Sequence, residues 1–170
     1  ICACLVGSEM CIRDSYTTIA PLLFALLAAG ADPAEAWQQA LAVGRPLGLA
    51  FQLADDLLDV VGSSRNTGKP VGGDIREGKR TVLLADALAA AGTQDRQQLI
   101  DLFESDARTD DQVAFVIALF QSTGAVERSR NRIHALWLES RAAIANLNLE
   151  PEAENHLIAA CARFVPENLR

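Results

Sequence analysis

Residues Phe51-Gln52-Leu53-Ala54-Asp55-Asp56-Leu57-Leu58-Asp59-Val60 place three carboxylates inside an otherwise apolar run. In a helix, residues i and i+4 lie one above the other on the same face. Asp55 and Asp59 then point the same way, with Asp56 about 100° round the axis. Leu53, Leu57, Leu58, Val60 and Val61 demand burial, which predicts that this helix lies inside a bundle. Buried carboxylates are costly unless they are paired or bound to a metal. A carboxylate ladder on an inner helix is therefore the start of a divalent-cation site.

The residues that follow sharpen this reading. Both lysines of the chain, Lys69 and Lys79, fall within Lys69-Pro70-Val71-Gly72-Gly73-Asp74-Ile75-Arg76-Glu77-Gly78-Lys79-Arg80-Thr81. Five of the 15 basic residues lie between Arg65 and Arg80, and Gly62, Gly68, Gly72, Gly73 and Gly78 mark the segment as a loop. A cation-rich loop thus leaves the end of a carboxylate helix. Carboxylates hold Mg²⁺, Mg²⁺ holds phosphate oxygens, and Lys and Arg hold the remaining phosphate charge. The combination points to a diphosphate substrate.

These motifs resemble the trans-isoprenyl diphosphate synthases, the polyprenyl synthetases. Gly48-x-x-Phe51-Gln52-x-x-Asp55-Asp56-x-x-Asp59 is similar to the second aspartate-rich motif of that family. Gly68-Lys69 and Asp74-x-x-Glu77-Gly78-Lys79-Arg80-Thr81 follow at the family's spacing. The match is dense over residues 44–84 and continues as helical pattern to the C-terminus. The resemblance implies an all-α helical bundle of the isoprenoid synthase type, and Mg²⁺ on Asp55, Asp56 and Asp59 bridging to the diphosphate of an allylic substrate. Asp55 is then the first direct ligand and Asp59 the next, with Asp56 acting through contacts to the ligands or through water. Lys69 and Lys79 bind diphosphate, and Gln52 lies near the isoprenoid tail and the reacting carbons. Asp74 either joins the metal shell or caps the loop. Phe51 reads as core or as a wall of the hydrophobic tunnel, and Arg76 and Arg80 read as solvent-facing.

The implied reaction is head-to-tail condensation of isopentenyl diphosphate with an allylic prenyl diphosphate, giving a product of geranylgeranyl type. Charge is drawn onto the departing diphosphate, the double bond of isopentenyl diphosphate attacks the allylic carbon, and a proton leaves to the released diphosphate. The protein stabilises charge, positions the partners and excludes water. The family works with two aspartate motifs on facing helices and forms homodimers. No first aspartate motif and no following Arg pair precede Ser15, and Ile12 stands where the family carries a phosphate-binding lysine four residues before Tyr16. The chain is thus expected to be the C-terminal half of a synthase, inactive by itself, with faces that favour aggregation. Ile1 to Asp14 has no helical period and reads as an artefactual segment joined to residues 15–170.

Other functions fit less well. A non-catalytic subunit of a heteromeric synthase would usually have lost its aspartates, which are all present. A terpene cyclase of the same fold would carry a different second motif, with which Leu58 and Asp59 do not agree. A purely structural helical domain leaves the 69–81 loop unexplained. The net charge of −7 argues against nucleic acid. The longest apolar stretch, Ile19 to Ala31, falls short of the roughly 20 residues of a membrane span. Four cysteines without a secretory framework point to a reducing cytoplasm, and Cys161 reads as a small buried apolar residue. His134 and His156 lack a metal-binding partner pattern.

The remaining periodicity is helical throughout. A buried helix is expected from Thr17 to Ala29, and a long one from Ala34 to about Val61, capped by Asp32-Pro33 and kinked near Gly44 and Pro46. Further helices are expected from Thr81 to Ala91, Asp95 to Glu104, Asp110 to Gln121, Ala125 to Asn146, and from Glu150-Pro151 to about Phe164.

Overall fold

The computed structural model describes residues 15–62 and 71–170. Lys69, Gly68 and Arg65, together with Ile12 and the three N-terminal cysteines, lie outside the described residues. The described chain is all-α: no strand occurs among these residues. A π-helical turn, Ser15–Ile19, leads into α1 (Ala20–Ala28). Then come α2 (Pro33–Val61), α3 (Gly73–Glu77), α4 (Val82–Ala90), α5 (Thr93–Glu104), α6 (Asp110–Ser122), α7 (Ala125–Ala145) and α8 (Pro151–Cys161). Two short 3₁₀ turns, Ala162–Phe164 and Glu167–Leu169, end the chain. No helix among the described residues is long and apolar enough to cross a membrane.

Most of the expected helices form within two residues of their predicted ends. The first starts three residues late, and the last gives way to a 3₁₀ turn after Cys161. Gly73–Glu77, expected as part of a loop, is a short helix because Asp59 caps it from α2. Asp32 accepts the amides of Ala34 and Glu35 at 3.0 and 3.1 Å, so the start of α2 is capped as predicted. At α6 the Thr109 hydroxyl accepts the Gln112 amide while the Thr109 amide donates to the Gln112 side chain at 2.8 Å, a reciprocal capping box. Thr81 occupies the N-cap position of α4 but gives no side-chain bond there. At the other end of α4, Arg96 of α5 donates to the carbonyls of Leu88, Ala89 and Ala91. α2 runs as one helix through Gly44 and Pro46.

The chain divides into two compact units, one containing the described residues 15–54 and 132–170, the other residues 55–131. In the first, α2 buries Ala36, Ala40, Val43, Leu47, Ala50 and Ala54, at alternating spacings of four and three. α7 answers with Ile133, Trp137, Ser140 and Ile144, and Cys161, Val165 and Leu169 complete the core. Alanines on the α2 stripe keep the surface low enough for a neighbouring backbone to come close. The Ser140 hydroxyl donates to the Val43 carbonyl at 3.0 Å, and the Thr18 hydroxyl to the Gly44 carbonyl at 2.7 Å. Phe51 packs edge-on against Phe164, with ring centroids 5.7 Å apart.

The segment expected to be a buried helix differs from that reading. Thr18 and Ile19 are buried, but α1 buries none of its residues, and Phe24 is 69% exposed. Its apolar composition predicts burial, yet the described chain offers nothing to cover it.

In the second unit, Leu57 and Val60 of α2 join Ile75, Leu83, Leu84, Ala87, Leu99, Leu102, Phe103, Val113, Val116, Leu119 and Phe120. Full burial of such side chains contributes about 1.5–3 kcal/mol each before the entropy of ordering them is subtracted.

Two predictions follow from the first unit. A Cβ at Gly44 would lie 3.0 Å from the Cα and 3.1 Å from the amide nitrogen of Ile19, both backbone atoms. Alanine in a helix gains about 1 kcal/mol over glycine, whereas overpacking costs roughly 1–3 kcal/mol, and here backbone must give way. Gly44→Ala is expected to lose about 1–2 kcal/mol net in urea unfolding; a variant as stable as the parent would refute the close approach. Burial pushes the Cys161 thiol up to about 11 from its ordinary 9.0. The folded thiol therefore holds its proton where the unfolded one has lost it. Its contribution to stability is full below pH 9 and disappears as pH rises towards 11. Cys161→Ala should flatten that alkaline decline, and peptide mapping should find Cys161 of the native chain unalkylated at pH 8.

Candidate metal and diphosphate site

The carboxylates of α2 differ in setting despite sharing a helix. Asp55 is exposed, whereas Asp56 and Asp59 are half-buried. Asp59 is the residue around which the following segment is built. Its carbonyl accepts the Gly72 amide at 2.8 Å. Its carboxylate accepts the Gly73 amide at 3.1 Å on Oδ1 and the Asp74 amide at 3.0 Å on Oδ2. Asp59 thus supplies, from 14 residues upstream, the cap that α3 cannot draw from its own N-cap, Gly72. The sequence requirement is strict. Gly72 has φ +79, and a Cβ there would meet Val113 Cγ1 at 2.4 Å. Only glycine fits both the left-handed backbone and the gap.

α3 is also closed tightly at its other end. Gly78 takes φ +75, its amide donates to the Ile75 carbonyl at 3.1 Å, and the Lys79 amide donates to the Asp74 carbonyl at 2.9 Å. This is a Schellman pair around a left-handed glycine. It folds the chain back so that the Lys79 ammonium donates to the Asp74 carboxylate. A single turn of helix therefore unites Asp59, Asp74 and Lys79.

The electrostatics follow from this packing. Burial raises the Asp59 carboxyl above its ordinary 3.8 and the Asp74 charge adds to the rise, while the amides of Asp74 and Gly73 and the Lys79 cation oppose it. The hydrogen bond to Asp74 raises Lys79 above its ordinary 10.5, assisted by the charges of Asp74, Glu77 and Asp56. Lys79 stays a cation throughout the physiological range. Its side chain is 53% exposed while that of Asp74 is 17% exposed, so the ammonium is the accessible end of the pair.

Among the predicted residues, Asp74 joins Asp59 through its amide and Lys79 through its carboxylate. Asp55 and Asp56 stand one turn earlier on α2, and Gln52 is half-buried one turn before them. Among the described residues no group of three or more acidic, histidine or cysteine side chains converges as a self-sufficient metal cage. Arg76, expected to face solvent, is tied down: it donates to the Val71 carbonyl at 2.9 Å and to Asp110 at 2.7 Å. Sequence reasoning also missed Arg108, which contacts the C-terminal turn of α3 from the segment just before α6. Only its place one residue before the Thr109 cap hinted at a fixed position.

The cap yields a prediction. Charge-assisted hydrogen bonds contribute about 1.5–3 kcal/mol. Asp59→Ala leaves the Gly73 and Asp74 amides without their acceptor. We expect a loss of about 3–4 kcal/mol, the lower part of two such bonds, and faster amide exchange across residues 73–79. Unchanged exchange there would show that α3 holds without its distant cap.

Comparison with known proteins agrees with this geometry. The chain matches the polyprenyl synthetase family over residues 13–120, more than half its length. It is 38% identical over 168 residues to the short chain isoprenyl diphosphate synthase of Methanothermobacter thermautotrophicus, covering 95% of this chain and 50% of that one. It is 38% identical over 90 residues to the geranylfarnesyl diphosphate synthase of Aeropyrum pernix, covering 53% of this chain and 27% of that one. Among solved structures it is similar to the geranylgeranyl pyrophosphate synthase of Corynebacterium glutamicum complexed with isoprenyl diphosphate and magnesium. There the identity is 32% and the TM-score 0.77, over 93% of this chain and 47% of the other. A polyprenyl synthase of Caulobacter crescentus complexed with calcium and isoprenyl diphosphate matches with 27% identity and a TM-score of 0.77, over 94% and 50%. The chain spans about half the length of the curated relative it matches end to end. The fold, the motifs and these likenesses together establish that this chain belongs to the polyprenyl synthetase family.

Proposed function

We propose that this chain is the C-terminal half of a Mg²⁺-dependent prenyltransferase that condenses isopentenyl diphosphate with an allylic prenyl diphosphate. The product is of geranylgeranyl type. The observation that carries the reading is that Asp59, one turn after Asp55 and Asp56 on α2, caps α3 through the Asp74 amide while Lys79 pairs with the Asp74 carboxylate. Family membership supports it, and so do the neighbours whose structures contain isoprenyl diphosphate with magnesium or calcium.

The donor set fits such an ion. It consists of hard oxygens, and Mg²⁺ is typically held through one or two carboxylates plus phosphate oxygens and water rather than by an all-protein cage. Asp55, the exposed member, and Asp56 would hold it, with Asp59 sharing the lone pairs its two amide bonds leave free. Bound magnesium would supply positive charge for the diphosphate that leaves the allylic carbon. The remaining work belongs to side chains. Lys79, kept protonated, exchanges its bond to Asp74 for a phosphate oxygen. Lys69, before α3 in sequence, acts on the same phosphates. Gln52, a turn away, orients the isoprenoid near the reacting carbons. Asp59 keeps α3 in place so that Lys79 meets the diphosphate without reorganisation. The full enzyme is read as a cytoplasmic homodimer.

The test separates ligand from scaffold. Titration of an allylic prenyl diphosphate into the chain should show binding only with Mg²⁺ present. Asp55→Ala should weaken that binding at least tenfold while melting within about 0.5 kcal/mol of the parent, as for an exposed surface substitution. Binding that is indifferent to Mg²⁺ or to Asp55 would refute the assignment.

A further inference from the structure

Two cations meet the short helix α3, and only one of them belongs to a recognised motif. Arg108 is half-buried on the segment between α5 and α6. Its Nε donates to the Leu102 carbonyl at 2.9 Å, and its Nη1 to the Arg76 carbonyl, near the end of α3, at 3.3 Å. The guanidinium lies 5.3 Å from the centroid of the Phe103 ring. It also fills the space beside Gly78, where a Cβ would stand 2.7 Å from Nη1. The next residue, Thr109, is fixed by the capping box with Gln112, so Arg108 projects from a rigid point. A reciprocal contact runs the other way, from the Arg76 side chain to Asp110 in the first turn of α6. One arginine reaches a backbone carbonyl of α3 from the segment before α6, and another reaches α6 from α3.

A five-residue helix has too few internal hydrogen bonds to hold itself in water. α3 is instead held at both ends: at its N-terminus by Asp59, and at its C-terminus by Arg108. We propose that Arg108 is a positioning residue that clamps the last turn of α3 and thereby fixes Lys79 and Asp74 for a magnesium-bound diphosphate. This rests on the function proposed above. Arginine suits the task better than lysine because its planar fork serves two carbonyls and an aromatic face at once.

The test has two arms, both on the full chain. In the first, amide hydrogen exchange is compared for the parent, Arg108→Met and Arg108→Lys. Arg108→Met should speed exchange at Gly78 and Lys79 at least tenfold while amides in the middle of α7 are unmoved, and Arg108→Lys should fall between the two. Equal exchange in all three overturns the clamp. In the second, inorganic diphosphate is titrated with Mg²⁺, and Arg108→Met should bind at least tenfold more weakly than the parent, with partial recovery in Arg108→Lys. Loosened exchange with unchanged diphosphate binding overturns the positioning role and leaves Arg108 a purely structural residue. A parent chain that binds no magnesium diphosphate overturns the functional reading, and the exchange arm then decides the clamp alone. Should Arg108→Met melt without cooperativity, Arg108→Gln, which keeps one donor, takes its place in both arms.

Discussion

The carboxylate of Asp59 is the contact on which the rest of the site depends. It sits near the end of α2, on a turn whose neighbours Leu57 and Val60 are fixed by the core. Through two oxygens and one carbonyl it orders three consecutive amides, those of Gly72, Gly73 and Asp74. Those amides begin α3, and α3 delivers Lys79 to Asp74. The cost of desolvating the Asp59 charge is offset in part by these bonds, and its pKa stays raised. Substitution at this one position would therefore disturb order, charge and geometry together.

Around this contact the polar interactions are of unequal weight. The Arg76 pair with Asp110 involves a carboxylate that is 89% exposed, and exposed pairs contribute about 0–1 kcal/mol. Its use lies in direction, since the same guanidinium also bonds the Val71 carbonyl. The bonds that Arg108 makes to carbonyls, and those of Asp59 to amides, are partly shielded from water and join backbone rather than mobile side chains. Groups of that kind set where a short helix lies.

Much of this was legible in the primary structure. The 3.6-residue period and the Asp32-Pro33, Asp110 and Glu150-Pro151 signals placed the helices, because amphipathic stripes and caps act locally. The family motifs placed Asp55, Asp59, Asp74 and Lys79 in one region. The division of labour among them was not legible. That Asp59 caps α3 rather than standing free depends on two glycines folding back across 14 residues, a tertiary event. The exposure of α1 was misjudged for a related reason. Composition reports how apolar a segment is, not whether a partner surface exists to receive it. Arg76 and Arg108 escaped notice because an arginine that bonds carbonyls has the same sequence signature as one in solvent.

α1 has a consequence for the order in which the molecule opens. Nine residues are too few for a helix to persist in water on its own propensity. With none of them fully buried, α1 draws little from tertiary packing, and its tether is the Thr18 and Ile19 turn seated against Gly44. Among the described helices it is therefore the one expected to open locally at low free energy, fraying many times for every global event. Within the described residues, a protease given the native chain would cut between Ala20 and Ala31 long before the alanine-striped core of α2 yields.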